Sequence, residues 1–206
     1  MAHIPDAILS TPVLVTGGLV SASLLAAALR RLDYDRVPQA AVLSAAFFVS
    51  SLINVPVGPS SVHLLLNGLM GLLLGWTAVP ALLVALILQA AFFGFGGILV
   101  LGVNTMNMAV PALVCALLVA PWMRRLPAGR RFWGGFAAGS LGVLMTGLMV
   151  ALALGLSADA FTPAAKVLAV IYLPLALVEG LITATIVGFI QRVAPELLAP
   201  VESAHA

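Results

Sequence analysis

The sequence predicts an all-α protein, a polytopic helical membrane protein of about seven transmembrane helices. Three observations predict it. Hydrophobic residues fill 63% of the 206 positions. Charged residues fill only 8%, and the mean hydropathy is +1.20. The apolar residues also come in runs long enough to cross a bilayer. A soluble domain of this length does not need so much apolar surface, and a β-barrel would show short alternating segments instead.

Seven spans follow in order: 9–29, 38–53, 61–77, 79–100, 107–123, 132–155 and 166–191. Two are short, at 38–53 and 61–77, and short apolar segments in transporters often flank a binding site. Arg30, Arg31 and Arg36 follow the first span, Arg124, Arg125, Arg130 and Arg131 lie between the fifth and sixth, and Arg192 follows the seventh. An odd number of spans puts these eight on one side, with only Lys166 on the other. The positive-inside rule makes the arginine side cytoplasmic. The amino terminus is then outside and the carboxyl terminus inside. The chain divides as one integral-membrane domain, 1–206: an extracytoplasmic segment 1–8, helices over 9–192, and a cytoplasmic tail 193–206. The start lacks the basic region of a cleaved signal peptide.

Composition also excludes some functions. The net charge is only +2, so an isoelectric point near 9.2 does not indicate nucleic-acid binding. A lone cysteine, Cys115, permits no disulfide within the chain. Phe93-Gly94-Phe95-Gly96-Gly97 lacks the spacing and the Lys-Ser/Thr of a phosphate loop. No serine-hydrolase elbow or His-Glu-x-x-His is present, so no catalytic set and no cofactor site is expected. The glycines at 68, 71 and 75, at 94, 96 and 97, and at 134, 135 and 139 read as close helix packing.

The chemistry concentrates at the amino terminus, Met1-Ala2-His3-Ile4-Pro5-Asp6. Removal of Met1 before a small residue would leave Ala2 as the terminal residue. The Ala2 amine, the His3 amide and the His3 ring would then present three nitrogens in one plane. A distant imidazole would complete a square, a geometry suited to Ni(II) or Cu(II). The plainer alternative is a histidine in a frayed tail. His63 is placed by topology on the same side as His3, at the outer end of the third span. It is either a ligand or an interfacial histidine held by a hydroxyl or carbonyl. His205 falls in the opposite tail and cannot join them.

Three asparagines are candidates to support these ligands. Asn67 lies at i+4 from His63, on one helix face if both are helical, and could orient the ring or help bind a neighbouring helix. Asn104 and Asn107 fall in Asn104-Thr105-Met106-Asn107-Met108, read with 101–106 as an outer polar loop that either merely connects two helices or forms a lid or gate wall over the site. Glu179 is the one acid deep in a span, either a hydrogen-bonded structural group with Thr183 as partner or a coupling site. Asp6 or Ser10 reads as the start signal of the first helix. Ala41 and Ala45 form a small-residue pair, either a docking patch or ordinary packing.

Several segments together resemble a known family: Met-x-His-Ile-Pro-Asp at the start, Ser-Val-His-Leu-Leu-Leu-Asn-Gly at 61–68, Gln-Ala-Ala-Phe-Phe-Gly at 89–94, Leu-Gly-Val-Asn-Thr-Met-Asn-Met-Ala at 101–109, Leu-Pro-Leu-Ala-Leu-Val-Glu-Gly-Leu-Ile-Thr at 173–183, and Arg-Val-Ala-Pro-Glu-Leu-Leu at 192–198. In this order, over nearly the whole chain, they resemble the CbiM/NikM family. Its members are substrate-binding S components of energy-coupling-factor nickel and cobalt transporters. The resemblance implies capture of Ni(II) or Co(II) as transported substrate, with no chemistry performed on it. It implies a transmembrane T component, two cytoplasmic ATPase subunits and, in some systems, a small auxiliary membrane subunit as partners. It implies a multi-pass location in the cytoplasmic membrane of a prokaryote.

Family members usually begin Met-His and bind metal through the amine, the amide and ring of that histidine, and a later histidine. Those positions correspond here to Ala2, His3 and His63. Two departures stand out: the family often has histidine where this chain has Phe95 and where it has Tyr172. The Ile-Pro-Asp start is closer to nickel-type members than to cobalt-type ones. Rival expectations are an intramembrane enzyme using His63 with Glu179, which the predicted depths of the two residues oppose, and a ligand-free assembly subunit.

Overall fold

The computed structural model describes residues 3–57 and 60–199, and for 54–57, 60–62, 165 and 169 the backbone alone. Ala2 and His205 lie outside the described residues. Helix α1 (Thr11–Leu29) begins after Ser10, whose extended backbone leads into a first turn containing Pro12. Proline fits there because the first helical N–H groups have no partner within the helix. Helix α2 (Val37–Ser50) starts the same way, with Pro38 in its first turn. Its 14 residues span about 21 Å, less than the apolar core of a bilayer.

Strands β1 (Asn54–Val57) and β2 (Ser60–His63) then form an antiparallel hairpin that sets Asn54 opposite His63. The all-α expectation holds apart from this eight-residue hairpin, which corrects the third span: its first residues are strand, not helix. β-branched Val55, Val57 and Val62 suit the pleated chain, and Pro56 is tolerated because a two-stranded ribbon has edges on both sides.

Helix α3 (Asn67–Leu74) is wholly buried. Gly75, at φ +57° and ψ −128°, ends it in a conformation that side chains disfavour. Helix α4 (Ala78–Phe93) follows and stops at Gly94, which takes the left-handed conformation common at helix ends. Helix α5 (Leu101–Val114) passes through a π-helical turn at Cys115–Val119 into α6 (Ala120–Arg125). Helices α7 (Arg131–Gly155) and α8 (Thr162–Val193) complete the bundle, and α8 continues through Pro174. The polar loop expected at 101–106 is therefore the first turns of α5, because Asn104 and Thr105 find burial and partners inside the bundle rather than in water.

Among the described residues, five helical stretches are long and apolar enough to cross a membrane: 11–29, 67–93, 101–125, 128–155 and 159–193. The stretch 67–93 folds back on itself. The chain entering α3 comes from His63, while the turn after it carries Trp76 under the Arg31 guanidinium, 4.3 Å from the ring centroid. The end of α4 returns to Phe95, whose ring stacks on His3. The two ends of the bundle are thus distinct. One gathers residues 3–10, His63, 94–100 and Ser157, whose hydroxyl accepts from the Ser10 N–H at 3.1 Å. The other gathers arginines, among them Arg124, which donates to the Leu198 carbonyl at 3.0 Å.

The expected glycine packing is present at Gly68, Gly71, Gly134, Gly135 and Gly139, whereas Gly94, Gly96 and Gly97 lie in the loop after α4. A β-carbon on Gly135 would lie 2.9 Å from the Ala184 α-carbon, and one on Gly142 2.9 Å from the Gly68 nitrogen. Helices α3, α7 and α8 therefore meet backbone to backbone, the packing that small residues permit in lipid.

Candidate metal centre

His3 and His63 meet. Their rings stack at a centroid separation of 5.0 Å with 18° between planes, and each residue is only 3% exposed. A metal bonded at about 2 Å to one nitrogen of each ring lies about 3 Å from each centroid, so a shared ion spans separations up to ~6 Å. The observed pair falls within that reach. The His63 Nδ1 lies 2.9 Å from the Leu64 carbonyl. A carbonyl can only accept, so Nδ1 carries the proton and Nε2 presents its lone pair. That Nε2, and both ring nitrogens of His3, are buried without a partner among the described residues. Burial, and then the neighbouring His63, hold the His3 ring down to about 3. Burial likewise lowers His63 despite its carbonyl contact. Both shifts favour the neutral ring, the protonation state that ligates metal.

The terminal segment is fastened by groups far away in sequence. Asn104 on α5 grips Ile4 at both backbone positions: its Oδ1 accepts from the Ile4 N–H and its Nδ2 donates to the Ile4 carbonyl, each at 3.1 Å. The Ile4 side chain is buried with Leu9, Val100, Val103 and Val150. Asp6 accepts from the Val100 N–H at 3.0 Å. It therefore caps the start of α5, not of α1, because the segment folds across the bundle before the first helix begins. Ala7, at φ +66°, makes the turn back toward α1. The loop 94–97 leaves room for this path. A β-carbon on Gly96 would meet the Asn104 Nδ2 at 2.8 Å, and one on Gly97 would run into the Asp6 carboxylate. Phe95 lays its ring on His3 at 6.0 Å and 15°.

The other candidates fall elsewhere. Asn67 does not orient His63, since it opens α3 while His63 ends β2. Its Nδ2 donates to Thr146 at 2.8 Å and to the Met108 carbonyl at 3.3 Å, tying α3 to α7 and α5. Asn107 is fully buried on α5, and its carboxamide has no partner among the described residues. Thr183 is not the partner of Glu179. The Glu179 carboxylate accepts from the backbone N–H groups of Leu65 and Leu66, with Leu66 at 3.2 Å from both oxygens. Glu179 is thus much nearer the His63 segment than the predicted depths imply, because residues 64–66 plunge inward from the hairpin. No third His, Cys, Asp or Glu joins the histidine pair among the described residues. Two features of the site were missed in the sequence. The Gly96-Gly97 pair makes room for the terminal segment, and its signal was the doubled glycine after a helix end. The Glu179 contact left no short-range signal at all.

A family model described as a cobalt uptake substrate-specific transmembrane region matches residues 3–197. The chain is 37% identical to a putative metal transport protein of Haemophilus influenzae, over 95% of this chain and 96% of that one. It is 34% identical to the fused nickel transport protein NikMN of Rhodobacter capsulatus, over 96% of this chain but 64% of that longer protein. It is 35% identical to the cobalt transport protein CbiM of Kyrpidia tusciae, over 81% and 71%. A crystal structure of a transition metal transporter superposes with a TM-score of 0.78 at 28% identity, over 93% of each chain. This multi-pass helical membrane protein belongs to the CbiM family of cobalt and nickel transport proteins.

Proposed function

We propose that this chain captures Ni(II) or Co(II) from outside the cell as the substrate-specific component of an energy-coupling-factor transporter. The observation that carries this reading is the buried His3–His63 pair with unpartnered ring nitrogens. Unpartnered buried polar atoms are costly, and a metal ion is a partner that two such nitrogens can share. The Ala2 amine and the His3 amide would complete a square with the two rings, an arrangement that favours nickel over cobalt. ATP hydrolysis would reside on two cytoplasmic subunits and reach this chain through a transmembrane T component, with a small auxiliary membrane subunit in some assemblies.

Calorimetry of the purified chain with Ni(II) and with Co(II), paired with intact mass to fix the first residue, tests this. One tightly bound ion per chain, lost on acetylating the terminal amine, is the expected result. Absence of binding by the unblocked chain would leave an assembly subunit. Orientation is tested by labelling Ala158→Cys and Ala128→Cys from outside, with labelling expected at 158 alone.

A further inference from the structure

We propose that Glu179 is a positioning residue for metal binding: it fixes the turn that aims His63. The inference rests on the reading of His63 as a ligand. Three observations converge on it. Glu179 is 1% exposed in the middle of α8, yet its carboxylate reaches across to the Leu65 and Leu66 N–H groups. Leu66 has φ +48°, a left-handed conformation that a leucine adopts only when its surroundings hold it there. His63 is three residues upstream, and its ring is anchored by the carbonyl of Leu64, the residue just before this turn.

The chain of support runs from carboxylate to turn to Leu64 carbonyl to imidazole. Leu65 and Leu66 lie ahead of the first helical residue of α3, Asn67, so their N–H groups cannot be satisfied within that helix. A carboxylate at a helix start also meets the positive end of the helix dipole. Without Glu179 the turn loses its acceptors, and Leu66 is released from a disfavoured conformation. The His63 ring then loses its fixed direction, though its own side chain is untouched.

The test is a double-mutant cycle on nickel affinity. His63→Ala should lose tight binding. Glu179→Leu should lose about 10–100-fold, the range for groups that orient a metal-bound histidine, with a Ni(II) absorption spectrum like that of His63→Ala. The double variant His63→Ala/Glu179→Leu should bind no more weakly than His63→Ala alone. Glu179→Gln, which keeps an acceptor oxygen, should restore part of the affinity, and it serves as the test if the leucine variant does not fold. Losses that add in the double variant, or wild-type affinity and spectrum in both Glu179 variants, would overturn the inference while leaving the metal site intact. Unchanged binding by His63→Ala would overturn the proposed function instead.

Discussion

The two ends of the bundle are built on opposite terms. At the arginine end, charge does the work and individual contacts are slight. Arg31 sits over Trp76, Arg124 donates to one carbonyl, and Arg36 approaches Asp33 at 3.9 Å. Such partly solvated contacts are worth about 1 kcal/mol or less each. At the histidine end the contacts are specific hydrogen bonds. One carboxamide and two carboxylates are held by backbone partners about 95 to 115 residues away, while the His63 ring rests on the adjacent Leu64 carbonyl. One end needs a composition, whereas the other needs particular atoms at particular places.

The histidine end is also finely balanced. Ordering residues 3–6 costs roughly 4–8 kcal/mol in backbone entropy. The three hydrogen bonds from Asn104 and Asp6 contribute about 3 kcal/mol together, and burial of Ile4 about 2–3 kcal/mol. The docked segment is close to break-even before any metal binds, so removing one support should be felt in affinity. The arginine end has no such dependence.

The sharpest test of this contrast is His63→Ala. It should abolish tight Ni(II) and Co(II) binding in calorimetry while the thermal midpoint stays within a few degrees, because β2 lies outside the helical core. Retained affinity would remove the histidine end's claim to specificity. Next in size is Asn104→Ala, which removes both bonds to Ile4. A loss of about 10–100-fold in affinity is expected, with Asn104→Asp intermediate because it keeps only the acceptor. Equal affinity for all three would show that the terminal segment docks through Ile4 alone. Gly96→Ala should weaken binding less, since the Asn104 Nδ2 can yield somewhat to the new methyl, though φ +79° adds strain. Proteolytic sensitivity of the amino terminus would rise in step. Smallest are Arg31→Ala and Arg124→Ala, each expected to leave metal affinity unchanged and to lower stability by about 1 kcal/mol or less. A change in affinity from either would show that the two ends are coupled.

The arginine end was legible in the sequence because its logic is compositional. Eight arginines beside apolar runs place it without any knowledge of packing. The helix ends at Gly75 and Gly94 fall inside the expected spans 61–77 and 79–100, because an apolar run does not show where the chain turns within it. His3 and His63 could be nominated because, of the three histidines, these two are put on one side by the expected topology. What they are held by could not be read. Asn104 was taken for a loop residue because Asn-Thr-Met-Asn is polar, and local polarity says nothing about a partner 100 residues away.

By itself, then, the sequence determined the helical membrane class, the sidedness pattern of charge and the pair of histidines. Each depends on residue type or on neighbours within a few positions. Only the tertiary structure decided that His63 ends a strand rather than a helix, that Asp6 caps α5, that Asn104 clamps Ile4 and that Glu179 reaches the turn at Leu66. Those are contacts between segments far apart in the chain. Their geometry follows from how closely glycine-lined helices approach and where each one stops, which no window along the sequence contains.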